Sequence, residues 1–158
     1  MIREFRSEDL PVIMDIGNRA WRGIYAMYKE RYGDELFSRI TPAPATSKGE
    51  QIKTHSQKHP EWILVCEENG TIVGFITFMI DQKSMIGEIG NNAVDPQCTI
   101  KGIGQQMYQA VLEIFRSKNM TFAKVSTGLD DAHAPARRAY KRAGFNISAE
   151  NVTYFQKI

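Results

Sequence analysis

Cysteine is scarce in this 158-residue chain, which has only Cys66 and Cys98. Neither has a second cysteine or a histidine nearby at the spacing of a metal site. Two unpaired thiols are typical of a protein from a reducing compartment, so we expect a cytoplasmic protein with no disulfide and no metal. A chain of this length buries roughly 70% of its unfolded surface on folding and needs no disulfide or metal to stabilise it.

The chain also lacks an excess of charge of either sign. Its 20 Lys and Arg residues nearly balance 18 Asp and Glu residues, for a formal net charge of +2. Nucleic-acid binding as the main role would favour a strong positive surplus, so we expect no nucleic-acid partner. The basic run at 137–142 is better explained as a solvated helix face near a helix C-terminus, where the helix dipole favours cations.

Long hydrophobic runs are missing as well. The longest, Ile72 to Ile80, is interrupted by Gly74 and Thr77, and no apolar run follows the N-terminal residues. We therefore expect neither a membrane span nor a signal peptide. The composition instead has 42% hydrophobic and 24% charged residues. That balance predicts one globular domain over residues 1–158, with a core of its own.

Hydrophobic periodicity predicts a strand and two helices in the first part of the chain. Alternation predicts a strand over Met1–Arg6, with Ser7 as the N-cap of a following helix. Aromatic residues at i, i+4, i+7 and i+11 then share one face of that helix, namely Trp21, Tyr25, Tyr28 and Tyr32. The spacing Ser47 to Glu50 matches a capping box and predicts a short polar helix that ends near Pro60.

Strands and helices alternate in the remainder. The pattern predicts a hairpin, a third strand with internal glycines that indicate a bulge, a strongly amphipathic helix, a strand, a helix and two closing strands. In that order they span Trp62–Cys66 with Thr71–Asp81, Met85–Val94, Gly102–Lys118, Phe122–Thr127, Pro135–Gly144, and Phe145–Ser148 with Val152–Ile158. The fold class is therefore α+β, with a mixed, mostly antiparallel sheet of about seven strands flanked by helices.

The segment Gly102-Ile103-Gly104 opens the amphipathic helix. Two glycines at a helix N-terminus let a backbone approach an anion, and the first-turn N–H groups with the helix dipole stabilise phosphate charge. A dinucleotide fingerprint would need a third glycine at the position of Met107, and a P-loop would need Gly-Lys-Ser/Thr. Both of those phosphate loops are excluded by the residues present.

Two blocks of this sequence resemble the GNAT superfamily of acyl-CoA-dependent N-acetyltransferases. The first is Val94-Asp95-Pro96 followed by residues 99–104, which matches V-x-P and R/Q-x-x-G-x-G/A, with Thr99 where the family usually has Arg or Gln. The second is residues 133–145, which matches N-x-x-A-x-x-x-Y-x-x-x-G-F, with His133 in place of the usual Asn. The resemblance covers about residues 62–158.

The resemblance implies a GNAT-like fold and acetyl-CoA as cosubstrate. The implied cofactor-binding residues are Ala93, Val94, Thr99, Ile100, Lys101, Gly102, Ile103, Gly104, Gln105 and His133. It also implies that Tyr140 protonates the leaving thiolate, because it matches the family's tyrosine and a phenol is acidic enough for that step. Glu88 is a candidate base, five residues before Ala93, where some members carry a glutamate; a solvent-facing strand carboxylate is the alternative.

The first helices border the acceptor in this superfamily, which makes Trp21, Tyr25 and Tyr28 the substrate-side candidates. The expected activity is direct attack of a primary amine, on a small molecule or a peptide, on the thioester. Neither cysteine lies at a matched catalytic position, which argues against a covalent intermediate. A non-catalytic acyl-CoA-binding or regulatory module on the same fold is the alternative. The sequence leaves the acceptor and the oligomeric state open, with a homodimer as one candidate.

Overall fold

The computed structural model describes residues 1–158, in which five strands form one sheet in chain order. Neighbouring strands are antiparallel except β4 and β5, which are parallel. The predicted hairpin is confirmed as β2 and β3, joined by a turn at Asn69-Gly70, where both residues have positive φ. The strands are β1 (Ile2–Glu4), β2 (Ile63–Glu68), β3 (Thr71–Asp81), β4 (Ile86–Val94) and β5 (Phe122–Val125).

Four helices cover the two faces of this sheet: α1 (Leu10–Ile40), α2 (Ser47–Lys58), α3 (Ile103–Ser117) and α4 (Ala134–Arg142). Helix α1 is interrupted at Gly33, whose φ of 75° breaks the helical geometry. None of the helices is both long and apolar enough to cross a membrane.

Alternation along the strands divides the core into two clusters, one on each face of the sheet. On β3, Phe75 faces α1 and α2, whereas Ile76 and Phe78 face α3. The α3 face buries Ile103, Met107, Val111 and Phe115 together with Ile89, and the α1 face buries Ile13, Ile16, Ile52, Ile63 and Val65. Each such side chain contributes roughly 1.5–3 kcal/mol of transfer free energy, which fixes the helices against the sheet.

Strand β4 contains the bulge that its glycines predicted. Its register with β3 shifts between the pairs Ile76–Asn92 and Phe78–Ile89, so β4 carries an extra residue there. A β-carbon on Gly90 would lie 2.6 Å from the hydroxyl oxygen of Thr77, and one on Gly87 would overlap the ring of Phe115. These glycines therefore allow close packing on both faces of the strand.

Strands β4 and β5 separate beyond the bulge. They pair only from Ile86–Phe122 to Ile89–Val125, where β5 ends. From Gly90 to Val94, β4 has no strand beside it on that edge. This unpaired edge lies between α3 and the segment that leads into α4.

The two predicted closing strands are wrong, and the sheet has five strands rather than about seven. Residues 143–158 form neither helix nor strand, and Ile147, Val152 and Tyr154 are exposed. Alternation of apolar residues makes a strand only where a neighbouring edge pairs with it, and no such pairing forms here. Instead the segment contacts α1, with Phe155 edge-on to Tyr32 at 5.6 Å between ring centroids.

The predicted N-caps also differ from the structure. Ser7 begins a 3-10 turn (Ser7–Asp9), and the carboxylate that accepts a backbone hydrogen bond at this end belongs to Asp9, which accepts from the amide of Arg6 at 2.8 Å. The residue before α2 is Thr46, and Ser47 is its first helical residue. Both predictions misplace the cap by one or two residues, while the helices themselves are confirmed.

Candidate active site

The N-terminus of α3 has the geometry of an anion cradle. Gly102 precedes the helix with φ 87° and ψ −4°, a left-handed conformation that favours glycine, and open space surrounds the position of a β-carbon. The first bond of the helix ladder runs from the amide of Gln106 to the carbonyl of Gly102 at 3.0 Å. The amides of residues 103–105 therefore point out of the helix end, where they can donate to a diphosphate.

The other predicted cofactor residues surround this helix end. Ala93 is buried and Val94 half-buried at the unpaired end of β4, while residues 99–101 are exposed on the loop that follows. Gln105 donates from its side-chain amide to the carbonyl of Ala139 at 2.9 Å and thereby joins α3 to α4. Residues from β4, its loop and α3 thus line one continuous surface.

An ion pair fixes the loop between β4 and α3 to helix α1. Arg19 donates two hydrogen bonds to Asp95, at 2.6 and 2.9 Å, and a third to Asp15 at 2.7 Å. Asp95 also accepts from the backbone amide of Gln97 at 2.8 Å. The hydrogen bonds from Arg19 hold the pKa of Asp95 below its usual value. The carboxylate therefore stays charged and bonded across the neutral range.

The second sequence block forms the capped end of α4. Gly144 has φ 104°, and its amide donates to Lys141 while the amide of Phe145 donates to the carbonyl of Tyr140 at 3.1 Å. This is a Schellman motif, in which the residue after the glycine also packs on the helix. The Phe145 ring contacts the Tyr140 ring edge-on at 6.0 Å. The spacing Tyr-x-x-x-Gly-Phe therefore fixes the tyrosine ring in place.

The hydroxyl of Tyr140 meets β4 on its unpaired stretch. The side-chain amide of Asn92 donates to the Tyr140 oxygen at 3.3 Å, and the Asn92 carbonyl accepts from the hydroxyl of Tyr108 at 3.0 Å. Burial and the neighbouring Tyr140 raise the pKa of Tyr108 well above its usual value, so Tyr108 remains a proton-bearing donor. Because Tyr140 is an acceptor from Asn92, its own hydroxyl hydrogen is free for another partner.

Glu88 lies on the opposite face of the sheet from Tyr140. Its neighbours Gly87 and Ile89 pack against α3, so its own side chain projects toward the other face. There the carboxylate pairs with Lys124 of β5 at 3.0 Å, with 42% of the Glu88 side chain exposed. The structure therefore does not bring the two predicted catalytic residues into contact.

His133 is the residue before α4 and is paired with a buried carboxylate. Its Nδ1 lies 2.8 Å from both carboxylate oxygens of Asp130, and the ring of Tyr28 from α1 stacks on the imidazole at 6.3 Å between centroids. Tyr28 is thus the one predicted acceptor-side aromatic residue that contacts a predicted cofactor-side residue.

The other two predicted acceptor-side residues lie elsewhere on α1. Trp21 packs under the ammonium of Lys48, whose Nζ lies 4.3 Å from the ring centroid. That ammonium also donates to Asn91 and to Gln51, each at 2.9 Å, and burial lowers the pKa of Lys48 to about 8. Tyr25 lines a cavity of about 400 Å³ between α1 and the loop that precedes α2.

No group of three or more His, Cys, Asp or Glu side chains is placed to hold a metal ion, and both cysteines are free thiols. The residues that could bind a cofactor are the amides of the α3 N-terminus and the polar groups along β4. These groups suit a diphosphate and an amide-containing arm better than a cation.

Comparison with known proteins identifies the family. Residues 21–145 match the sequence profile described as the acetyltransferase (GNAT) family. The chain belongs to this GNAT family. Of the known GNAT structures, PaiA N-acetyltransferase from Thermoplasma acidophilum, solved with coenzyme A, superposes with a TM-score of 0.71 at 21% identity and covers 96% of this chain and 92% of that one.

Two further relatives support the assignment. A GNAT acetyltransferase from Brucella melitensis, solved with acetyl-CoA, has a TM-score of 0.64 at 21% identity over 93% of this chain and 82% of that one. At such identities the shared feature is the fold. Mycothiol acetyltransferase from Segniliparus rotundus is 32% identical over 69 residues, which are 44% of this chain. The matched residues are 25% of the length of that relative.

Three residues of the site were missed from the sequence. Nothing in the sequence analysis identifies Asn92, Asp130 or Arg19. The spacing Asp130 to His133 is a recognisable signal, because residues three apart meet in a helical turn. The bond from Arg19 to Asp95 joins residues 76 positions apart and has no signal in a single sequence.

Proposed function

We propose that this GNAT protein is an N-acetyltransferase that transfers the acetyl group of acetyl-CoA to a primary amine by direct attack. The observation that carries the proposal is the position of Tyr140. Its hydroxyl oxygen accepts from Asn92 at the unpaired edge of β4, which leaves the hydroxyl hydrogen free. A phenol so placed can protonate a thiolate as it leaves.

The residues at the α3 N-terminus fit the diphosphate of coenzyme A. Gly102 holds the left-handed turn without a side chain, the amides of residues 103–105 point outward, and Lys101 adds a cation on the same loop. The edge of β4 has no partner strand from Gly90 to Val94; the Gly90 carbonyl accepts from the Asn92 side chain, and the backbone groups beyond it can bond the amide-bearing arm. Acetyl-CoA supplies an activated acyl carbon, and the protein binds it, orients it and moves protons.

Tyr108 and Asn92 support the proposed acid. Asn92 donates to Tyr140 and accepts from Tyr108, so the amide cannot turn over without losing both bonds. A lone pair of the Tyr140 oxygen is therefore directed at Asn92 on β4, and the hydroxyl hydrogen points away from Asn92. The Schellman motif at Gly144 fixes the ring from the other side. Tyr140 is therefore held in one orientation, as a general acid requires.

The acceptor is proposed to approach from the side of α1, where Trp21, Tyr25 and Tyr28 lie. Its class is a small-molecule or peptide amine. Two groups are candidates for the base that takes a proton from the ammonium form: Glu88, predicted from the sequence, and His133, which precedes α4.

Tyr140→Phe tests the proposal, with Tyr108→Phe as the matched control, because each substitution removes one hydroxyl from neighbouring rings. With an amine that supports turnover, Tyr140→Phe should lower kcat by roughly 10²–10⁴. The acetyl-CoA dissociation constant should change little. Tyr108→Phe should lower kcat less than Tyr140→Phe, because Asn92 loses one of its two bonds to the tyrosines while Tyr140 keeps its hydroxyl. Equal kcat for wild type and Tyr140→Phe would contradict the assigned role.

A further inference from the structure

His133 and Asp130 form a hydrogen-bonded pair at the short 3-10 turn (Asp131–His133) between β5 and α4. The His133 side chain is 13% exposed and the Asp130 carboxylate 5%. Both carboxylate oxygens lie 2.8 Å from Nδ1, and one of them also accepts from the backbone amide of His133 at 3.0 Å. Burial by itself would raise the pKa of Asp130, but the hydrogen bonds from His133 outweigh it and hold that pKa below its usual value.

The surrounding loop is shaped to hold this pair. A β-carbon on Gly128 would lie 2.6 Å from His133 Nδ1 and would overlap the Asp130 carboxylate, so only glycine leaves room. Arg137 donates to the carbonyls of Gly128 and Asp130, at 2.7 and 2.6 Å, and closes the loop against α4. Two residues, Gly128 and Arg137, thus maintain the contact between the His133 imidazole and the Asp130 carboxylate.

The arrangement determines which ring nitrogen is free. An ionised carboxylate only accepts, so Nδ1 must carry the hydrogen in the neutral ring, and Nε2 keeps its lone pair. No protein group bonds Nε2. The groups that face the imidazole are the Asp130 carboxylate from its own turn and the Tyr28 phenol from α1, while Arg137 of α4 is bonded to the two carbonyls.

The pair and the proposed acid lie along the same helix, α4. His133 and Tyr140 are seven residues apart, two turns of α4, so they share one helix face about 10 Å apart along its axis. Tyr140 meets the unpaired edge of β4, and His133 meets Tyr28 on the acceptor-side helix. The Glu88 carboxylate, in contrast, is already paired with Lys124 of β5 and is partly exposed.

Resting on the proposed function, we propose that His133, oriented by Asp130, is the base that takes a proton from the ammonium group of the acceptor. Nε2 accepts the proton, directly or through one water, and the ring becomes an imidazolium that the Asp130 carboxylate stabilises. The freed amine nitrogen forms the C–N bond to the acetyl carbon, and the C–S bond breaks. Tyr140 gives its proton to sulfur and regains one from the nitrogen, so the net products are amide, thiol and one proton.

The kinetic test uses three variants and an amine that the wild type acetylates. His133→Asn places the residue usual in the family at this position but removes the imidazole. It should lower kcat by roughly 10²–10⁴ near neutral pH and recover as the pH approaches that at which the amine is already deprotonated. Asp130→Asn keeps an acceptor for the backbone amide but no charge, and should lower kcat at least about tenfold. His59→Asn is the control, because His59 stacks on Trp62 away from the site.

A second readout does not depend on turnover. In ¹⁵N NMR of the imidazole, wild-type His133 should show hydrogen on Nδ1 and a bare Nε2 in its neutral form, and Asp130→Asn should lose that tautomer preference. A ring protonated on Nε2 in the wild type, or kcat and pH profiles of His133→Asn that parallel wild type, would overturn the proposal. Absence of thiol release from the wild type with every amine would instead contradict the proposed function.

Discussion

Gly102 allows the anion cradle to be perturbed without disturbing a packed contact. Its φ of 87° strains any L-residue, whereas no atom lies within 4 Å of an added β-carbon. Gly102→Ala should therefore reduce stability through backbone strain alone, by about 1–2 kcal/mol. Gly23, an exposed residue inside α1, is the matched control. No atom lies within 4 Å of an added β-carbon there either, and its φ is not positive.

The two alanine variants should change stability in opposite directions. A domain of this size shifts its Tm by roughly 2–4 °C per kcal/mol, so Gly102→Ala should lower Tm by about 2–8 °C. Gly23→Ala removes a flexible residue from a helix and should leave Tm unchanged or raise it by a few degrees. Thermal melts followed by circular dichroism measure both values.

The same melts with acetyl-CoA test what the strained turn does. At about 100 times the dissociation constant the ligand should add roughly 2.7 kcal/mol to wild-type stability. Gly102→Ala should lose most of that gain, because relief of the strain moves the outward amides. Gly23→Ala should keep the full gain. If Gly102→Ala melts like wild type with and without acetyl-CoA, the left-handed helix start has no role in binding.

Three further predictions concern charged side chains. Glu88→Gln should change kcat less than about threefold, since the carboxylate is exposed and ion-paired; a large loss that recovers at high pH would return the base role to it. Arg19→Ala should weaken acetyl-CoA binding roughly tenfold, because it frees Asp95. Arg3→Ala breaks a comparable ion pair far from the site, so it should lower Tm without changing the affinity for acetyl-CoA. Calorimetry can measure both quantities, and equal affinities of the two variants for acetyl-CoA would contradict this. Lys48 should add stability as the pH rises from about 8 to 10.5, because over that range the unfolded chain keeps the Lys48 proton and the folded chain does not. Compared with wild type, Lys48→Met should lose that increase, on the order of 1–3 kcal/mol, in denaturant titrations; the same pH dependence in both proteins would refute it.

Local sequence signals predicted those parts of the fold that depend on local geometry. The 3.6-residue period gave α3, the glycines of β4 gave the bulge, and Gly144 gave the end of α4. Alternation of apolar residues over 145–158 predicted two strands that do not form, because a strand forms only where the edge of another strand pairs with it. Whether an edge is available there depends on where β5 ends, at Val125, and the hydrophobic period carries no information about that.

The candidate site shows the same division. Tyr140 and Gly102 lie in motifs whose local backbone is fixed by a helix end, and the structure places both where those motifs predict a helix end. Asn92 bonds a residue 48 positions away in the chain, and Arg19 bonds one 76 positions away. Only the folded chain brings such residues together. Asp130 is intermediate: its contact with His133 joins residues three apart in the chain, whereas its burial depends on the folding of the rest of the protein.

Acetyl transfer itself is tested most directly by following release of the coenzyme A thiol from acetyl-CoA with a panel of primary amines, with mass spectrometry of the products. Direct attack predicts thiol release only when an amine is present, one acetylated amine for each thiol, and no acetyl group on the protein. An acetylated protein would contradict direct attack. Stabilisation by acetyl-CoA with no amine-dependent thiol release at any pH from 7 to 9 would contradict catalysis and leave a binding module on the GNAT fold.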